Sequence, residues 1–383
     1  MMKSYVISIS MAVLVLAASN AVLAAPRGIV NVPVAVSAWN VKPRAGETTA
    51  AMEKRVKRGI IELVRGDKAK LDYDVSYWRL LSYLHDLPWP ALPAGWKSWY
   101  LEKMPNPRLT NEQRDWWLER IERKPIYMMA PKEADVYLGW AQRQFPNLRE
   151  RVVHLARKNI NQPYRMYLLG EFPYEVYDPD PMFSLGKSDC VVFSEHTYAM
   201  ALSHDWKEFF ATLQKIRYKD GKPGMTTRNH YTEADWDKNN AWLVEDVTGK
   251  LGATTVTRYQ EKIDRAKFFG NFGIGQDFKP EMLDDIYIPA QAVEGVLPKL
   301  KDGDFVNVAR GQGSGVWMGH VGLIGRLPDG TVTFIHSTSP KVKEQPIMQY
   351  VNDNVKKNAE RARKGNAQFL GFKFLRLRDE VLK

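Results

Sequence analysis

Cys190 is the one cysteine of this 383-residue chain and lies in the stretch SLGKSDCVVFSEH. A thiol becomes a nucleophile when its surroundings favour the thiolate, so its placement decides what it can do. Ser188 is a good helix N-cap, and Val192, Tyr198 and Ala199 recur at helical spacing after it. That predicts Cys190 in the first turn of a helix. There, free backbone N–H groups and the helix dipole favour a thiolate and lower the thiol's pKa. The same N–H groups can receive the oxyanion of a tetrahedral intermediate.

A nucleophilic cysteine needs a base, and the chain holds seven histidines. His85, His154, His196 and His204 are isolated residues on expected helices, where surface or satisfied-core roles are the default. His320 in MGHVGLIGRL and His336 in TVTFIHSTS each fall in an expected strand, joined by the hairpin signal Pro328-Asp329-Gly330. If Leu327 faces Thr331, His336 lies opposite Gly322 and His320 is its diagonal neighbour on the same face. A one-residue slip would send the two rings to opposite faces. Gly319 and Gly322 leave room beside the rings. The order Cys, His on a strand, then a polar residue on the next strand is the papain-type arrangement.

The elements that must position these groups divide the chain into regions. MMKSYVISISMAVLVLAASNAVLAAPRG has Lys3 as a positive start, an uncharged apolar stretch over residues 5–18, and small residues for a peptidase near Ala24 or Ala25. It reads as a secretory signal peptide over residues 1–25, so a periplasmic or secreted protein is expected, with no integral membrane segment after its removal. Residues 26–145 read as a mainly helical, Trp-rich region, with Met52, Val56, Ile60 and Leu63 on one face and a capping box from Thr110 to Gln113. Eight of the twelve tryptophans fall there, as core or as stacking surfaces for sugar rings. From residue 146 to 383 a helix, RERVVHLARKNI, leads to the cysteine. The strands GDFVNVAR, GHVGLIGR, TVTFIHS and FLGFKFLRL follow. The expected fold class is α+β, with the Cys helix packed on an antiparallel sheet.

Composition narrows the partners. A formal charge of +11, carried by dispersed basic runs such as EKRVKRG and KKNAERARKG, comes without a nucleic-acid motif and suits an anionic cell wall. A single cysteine excludes an intrachain disulfide and CxxC-type zinc sites. A buried, inert thiol would fit the helix start, but leaves the absence of a partner thiol in an exported chain unexplained.

SDCVVFSEH, IRYKDGKPGMTTRNHYTEADW, GDFV, GHVGLIG and FIHSTSPKV together, and in this order, resemble the N-acetylmuramoyl-L-alanine amidase-like family of the NlpC-type papain-like cell-wall hydrolase clan. The resemblance covers roughly residues 146–383. It implies a papain-like fold in which Cys190 is the nucleophile, His320 the general base and His336 the residue that orients His320. It implies an oxyanion hole at the Cys190 N–H, with Asp189 or Ser188 close by. The RNHY segment falls on Arg228, Asn229, His230 and Tyr231, which with Asp189 would border the substrate. Arg228 would pair with a stem-peptide carboxylate or form a structural bridge to Asp235 or Glu233. The implied reaction is hydrolysis of a peptidoglycan or muropeptide amide through a thioester, with no metal or cofactor. The bond is either the lactyl–L-alanine amide or the γ-D-glutamyl bond. Three rival readings stand beside it: a zinc site using Cys190, His230, His320 and His336; acyl transfer to an amine; and a non-catalytic wall-binding protein.

Overall fold

The computed structural model describes residues 46, 118, 121–171, 177–178, 180–274 and 277–382. The expected signal peptide, the helix through Met52 and the Thr110 capping box lie outside the described residues.

Helices come first. α1 (Pro131–Gln144) begins on a proline, and α2 (Leu148–Arg157) is capped by Asn147, whose side chain accepts from Arg149 N and Glu150 N. α3 (Cys190–Ala201) is buried along almost its whole length. α4 (Trp206–Arg217) starts at Asp205, which accepts from Glu208 N at 2.8 Å. Strands β1 (Val244–Asp246), β2 (Thr257–Ile263) and β3 (Glu281–Pro289) follow, with the short α5 (Arg265–Gly270) between the last two. Next are β4 (Phe305–Gln312), β5 (Gly315–Arg326), β6 (Val332–Thr338) and β7 (Lys341–Pro346), then α6 (Ile347–Arg363) and β8 (Gln368–Leu377).

The strands form one sheet in the order β2-β3-β8-β4-β5-β6-β7, with β1 also on β8 and every pairing antiparallel. The class is therefore mixed helix and antiparallel sheet. The four strands expected from sequence are β4, β5, β6 and β8. Strands β1–β3 and β7 and helices α4 and α6 go beyond that expectation; β1, β2, β7 and α6 have few, interrupted apolar positions, whereas α4 carries a regular apolar face of Trp206, Phe209, Leu213 and Ile216.

Alternation along the central strands sorts side chains to two faces. Phe305, Val321, Leu323, Ile335 and Leu375 join one hydrophobic cluster with Cys190, Phe193 and Tyr198 of α3. Val306, Ile324, Phe334 and Phe374 join another with Ile347, Tyr350 and Val351 of α6. The first cluster also takes in Ile121, Ile126, Tyr137 and Ala141, so the core is continuous across residue 146, where a domain boundary was expected. Apolar packing on α2 and α3 draws α1 into that core.

The hairpin β5–β6 has the register derived from the turn: Leu323 pairs with Ile335, Ile324 with Phe334, and Leu327 N donates to Thr331 O at 2.9 Å. Gly322 is what allows the two strands to close at the histidines. A Cβ there would stand 2.6 Å from Ile335 O and 2.8 Å from His336 Cβ. We therefore expect Gly322→Ala to cost about 1–3 kcal/mol through overpacking, read as a lower denaturation midpoint at an unchanged m-value.

Candidate active site

Cys190 is the first residue of α3, one position nearer the cap than the sequence suggested. Asp189, not Ser188, is the N-cap: its carboxylate accepts from Val192 N at 2.9 Å. Both residue types cap well, and distant partners decide between them. Ser188 Oγ donates instead to Gln162 Oε1 at 2.6 Å and lies 3.0 Å from Ser337 Oγ, which itself donates to Ser188 O at 3.0 Å. Backbone bonds Ser188 N to Pro163 O and Arg165 N to Ser188 O hold the same residue from a third segment. The start of the Cys helix is thus fastened to β6 one residue beyond His336.

The expected low thiol pKa is not found. Burial, then the charge of Asp189, push the Cys190 thiol up to about 12, while N–H groups of Val321, Val191 and Cys190 itself pull the other way. The helix dipole is real, but Cys190 is 2% exposed, and desolvation of a thiolate outweighs it. The N–H of Val321 sets the sulfur against β5 at the residue next to His320.

His320 and His336 meet on one sheet face, with Nε2 of the first 2.7 Å from Nδ1 of the second and the rings nearly perpendicular. His336 is locked by Phe334, stacked at 4.4 Å, and by Tyr350 of α6, edge-on at 5.5 Å. Burial, helped by the charges of Arg310 and Lys343, lowers the His320 pKa to about 3, and burial, His320 and Lys343 lower that of His336 well below the usual range. Both rings are therefore neutral, so one donates and the other accepts. When His320 donates from Nε2, its Nδ1 carries a lone pair and can take a proton. His336 then accepts at Nδ1 and holds its proton on Nε2, an atom buried without a hydrogen-bond partner. Among the described residues His320 bonds to His336 alone, and no hydrogen bond links it to Cys190.

The RNHY segment is not left free for a substrate. Arg228 pairs with Asp178 at 2.9 Å and Glu171 at 3.2 Å and donates to Leu169 O, so neither Asp235 nor Glu233 is its partner. Asn229 donates to Ile216 O and accepts from Asn239. His230 is 2.6 Å from Met225 O and packs against Phe268 and Phe269. Tyr231 is buried, and its backbone N–H donates to Asp235. The polar groups of this segment are thus engaged inside the protein, as buried polar groups are. Asp189 is occupied as the cap.

Three tyrosines that carry no motif in the sequence stand around the thiol. After burial, the charges of Cys190 and Asp189 raise the phenols of Tyr164 and Tyr167, and Cys190 also raises that of Tyr350. The Tyr167 hydroxyl is buried without a partner, and its backbone takes φ 55°, a rare conformation for a bulky residue. The one signal that points to any of them is NQPYRMY, just upstream of the cysteine. Among the described residues no group of three or more His, Cys, Asp or Glu side chains is placed to hold a metal ion.

Residues 154–357 match the model of a family described as N-acetylmuramoyl-L-alanine amidase-like. No functionally curated protein matches. A crystal structure of a Legionella pneumophila strain Philadelphia 1 protein, from a domain family of unknown function, superposes with a TM-score of 0.53 at 17% identity, over 64% of this chain and 95% of that one. A Bacteroides uniformis N-acetylmuramoyl-L-alanine amidase gives a TM-score of 0.47 at 23% identity, over 61% and 99%. The first likeness is one of fold.

Removing Arg228 would leave Glu171, wholly buried, without its nearer cation. Burial already raises the Glu171 pKa to about 7. Arg228→Ala is expected to lose about 3–5 kcal/mol of unfolding free energy at pH 8. The loss shrinks at pH 5, where a protonated Glu171 needs no partner; the folded-state pKa lies above the unfolded one, so this penalty grows as pH rises through it. Denaturant titrations at the two pH values check both statements.

Proposed function

Because this chain belongs to the N-acetylmuramoyl-L-alanine amidase-like family, we propose that it is an exported cysteine hydrolase cleaving an amide bond in peptidoglycan or soluble muropeptides. Periplasmic or secreted location rests on the signal-like N-terminus. The observation that carries the reading is the placement of Cys190 at a helix start, against the N–H of Val321, the residue that follows His320, with His320 bonded to His336, in the papain-type order.

The chemistry follows from the neutral resting state. With the thiol pKa raised and the His320 pKa lowered, no thiolate–imidazolium pair stands ready, so the proton leaves sulfur as attack proceeds. Substrate brings Cys190 Sγ and His320 Nδ1 into hydrogen-bond reach, a contact often completed only in the Michaelis complex. Sulfur adds to the amide carbon, and the proton passes to His320 Nδ1. The oxyanion is met by the Cys190 N–H at the helix start, with the unpartnered Tyr167 hydroxyl as a second donor. Collapse of the intermediate expels the amine, which takes the proton from His320, and leaves a thioester. Water, deprotonated by His320, then releases the acid and restores the thiol. His336 accepts from Nε2–H throughout and stabilises the imidazolium.

Mass spectrometry of peptidoglycan and muropeptides tests this, after incubation with the protein and with Cys190→Ala, each with and without EDTA. The expected result is cleavage that needs Cys190 and survives EDTA, with product masses that name the bond. Loss of cleavage in EDTA would bring the zinc reading forward, and intact substrate in every arm would sink the hydrolase reading. A second expectation concerns pH: kcat/KM, which reports the free enzyme, should be flat from roughly pH 5 to 9, because neither group titrates there. An acid limb near the ordinary histidine pKa would instead point to a charged, exposed His320.

A further inference from the structure

Beside the histidine pair opens a cavity of about 300 Å³, walled by β4–β7 on one side and α6 on the other. On α6, Tyr350, Asn354, Lys357 and Arg361 recur at intervals of four, three and four, which turns them to one helix face and into this cavity. Arg310 comes from β4, and Lys343 from β7, directly opposite His336. Four cations therefore meet there, against the single carboxylate of Asp353.

None of the four is paired with a carboxylate among the described residues. Arg361 is held by Asn354 O, Asn354 Oδ1 and Asn358 Oδ1, and Arg310 reaches the Tyr350 hydroxyl at 3.5 Å. Neutral acceptors aim the guanidinium groups without cancelling their charge. The cations consequently repel one another: burial and the charge of Arg310 both weaken the basicity of Arg361. His336, which lines the same wall, is 2% exposed, with Nε2 lacking any partner. Clustered, oriented and unpaired cations around an unsatisfied buried donor are complementary to an anion.

Position selects which anion. His320 hands its proton to the departing amine, so the space flanking His320 is where the leaving group lies. In a stem peptide joined through the γ-carboxyl of D-glutamate, the α-carboxylate of that residue stays free, on the leaving side of the lactyl–L-alanine amide.

We propose that the cavity formed by Arg310, Lys343, Lys357 and Arg361 beside His336 binds a free carboxylate of the leaving peptide. It thereby selects anionic stem peptides over amidated ones. This deepens the hydrolase reading and rests on it. Occupancy also offsets the positive field on His320 and makes that ring a better proton acceptor when the correct substrate is bound.

The test measures binding and turnover separately. Titration calorimetry on the Cys190→Ala protein at low ionic strength compares N-acetylmuramoyl-L-alanyl-D-glutamate with its diamide. The diacid should bind at least about tenfold more tightly, as expected for charge-assisted hydrogen bonds. Adding Lys357→Gln and Arg361→Gln should collapse that ratio toward one. Lys343→Gln, at an exposed position on β7, should reduce it in the same direction. Equal affinities, a ratio untouched by these changes, or binding of neither compound would each overturn the proposal. Hydrolysis of the same two compounds by the unaltered protein reports on the reaction itself. Selective binding without cleavage keeps the cavity and loses the hydrolase, whereas indiscriminate cleavage keeps the hydrolase and loses the cavity.

Discussion

The geometry of the candidate site depends on one short-range tie between distant segments, the hydroxyl contact of Ser188 with Ser337. Ser188 precedes the cysteine by two residues and Ser337 follows His336 by one, so two hydrogen bonds near 3 Å fix the sulfur relative to the imidazoles. Buried hydroxyls satisfied by each other and by Gln162 are costly to separate, because parting them leaves polar groups without water. The Cys helix and the histidine hairpin therefore keep their relation even where apolar packing would tolerate sliding. Gly322 supplies the complementary freedom, since only a residue without a side chain lets β5 approach His336 so closely.

Around that tie the electrostatics pull against each other. Burial keeps the thiol protonated and the imidazoles uncharged, and Arg310 of β4 and Lys343 of β7 reinforce the second effect. Elsewhere opposite charges find each other, as in the Arg228–Glu171–Asp178 group and in Lys373 among Asp237, Asp246 and Asp285. The unpaired positive cavity stands out against these matched interior groups.

What is legible in the sequence has local causes. The Pro328-Asp329-Gly330 turn points to a Leu327–Thr331 pairing, and once the structure holds that register, strand alternation brings His320 and His336 to one face. The helix at Cys190 is legible for the same reason. The cap falls on Asp189 rather than Ser188 because Gln162 and Ser337, which claim the Ser188 hydroxyl, lie 26 and 149 residues away. The thiol's basicity depends on burial, a tertiary quantity with no sequence period. Arg228 reads in the sequence as a ligand for a substrate carboxylate or a bridge to nearby Asp235 or Glu233, because its partners Asp178 and Glu171 are 50 or more residues upstream. The run KKNAERARKG reads as dispersed surface charge because Arg310 and Lys343 join it only through the sheet.

The protonated state of Cys190 has a consequence for survival. Thiolates, not thiols, attack peroxides and disulfides, so a sulfur whose pKa burial raises and whose surface is 2% exposed resists oxidation. A lone cysteine that was permanently ionised would be capped or over-oxidised in an oxidising compartment, with no second thiol in the chain to rescue it. Under the proposed mechanism, reactivity appears only while a bound amide, the helix N–H groups and His320 act together. Such a mechanism keeps the sulfur chemically silent toward small oxidants and open to one kind of partner.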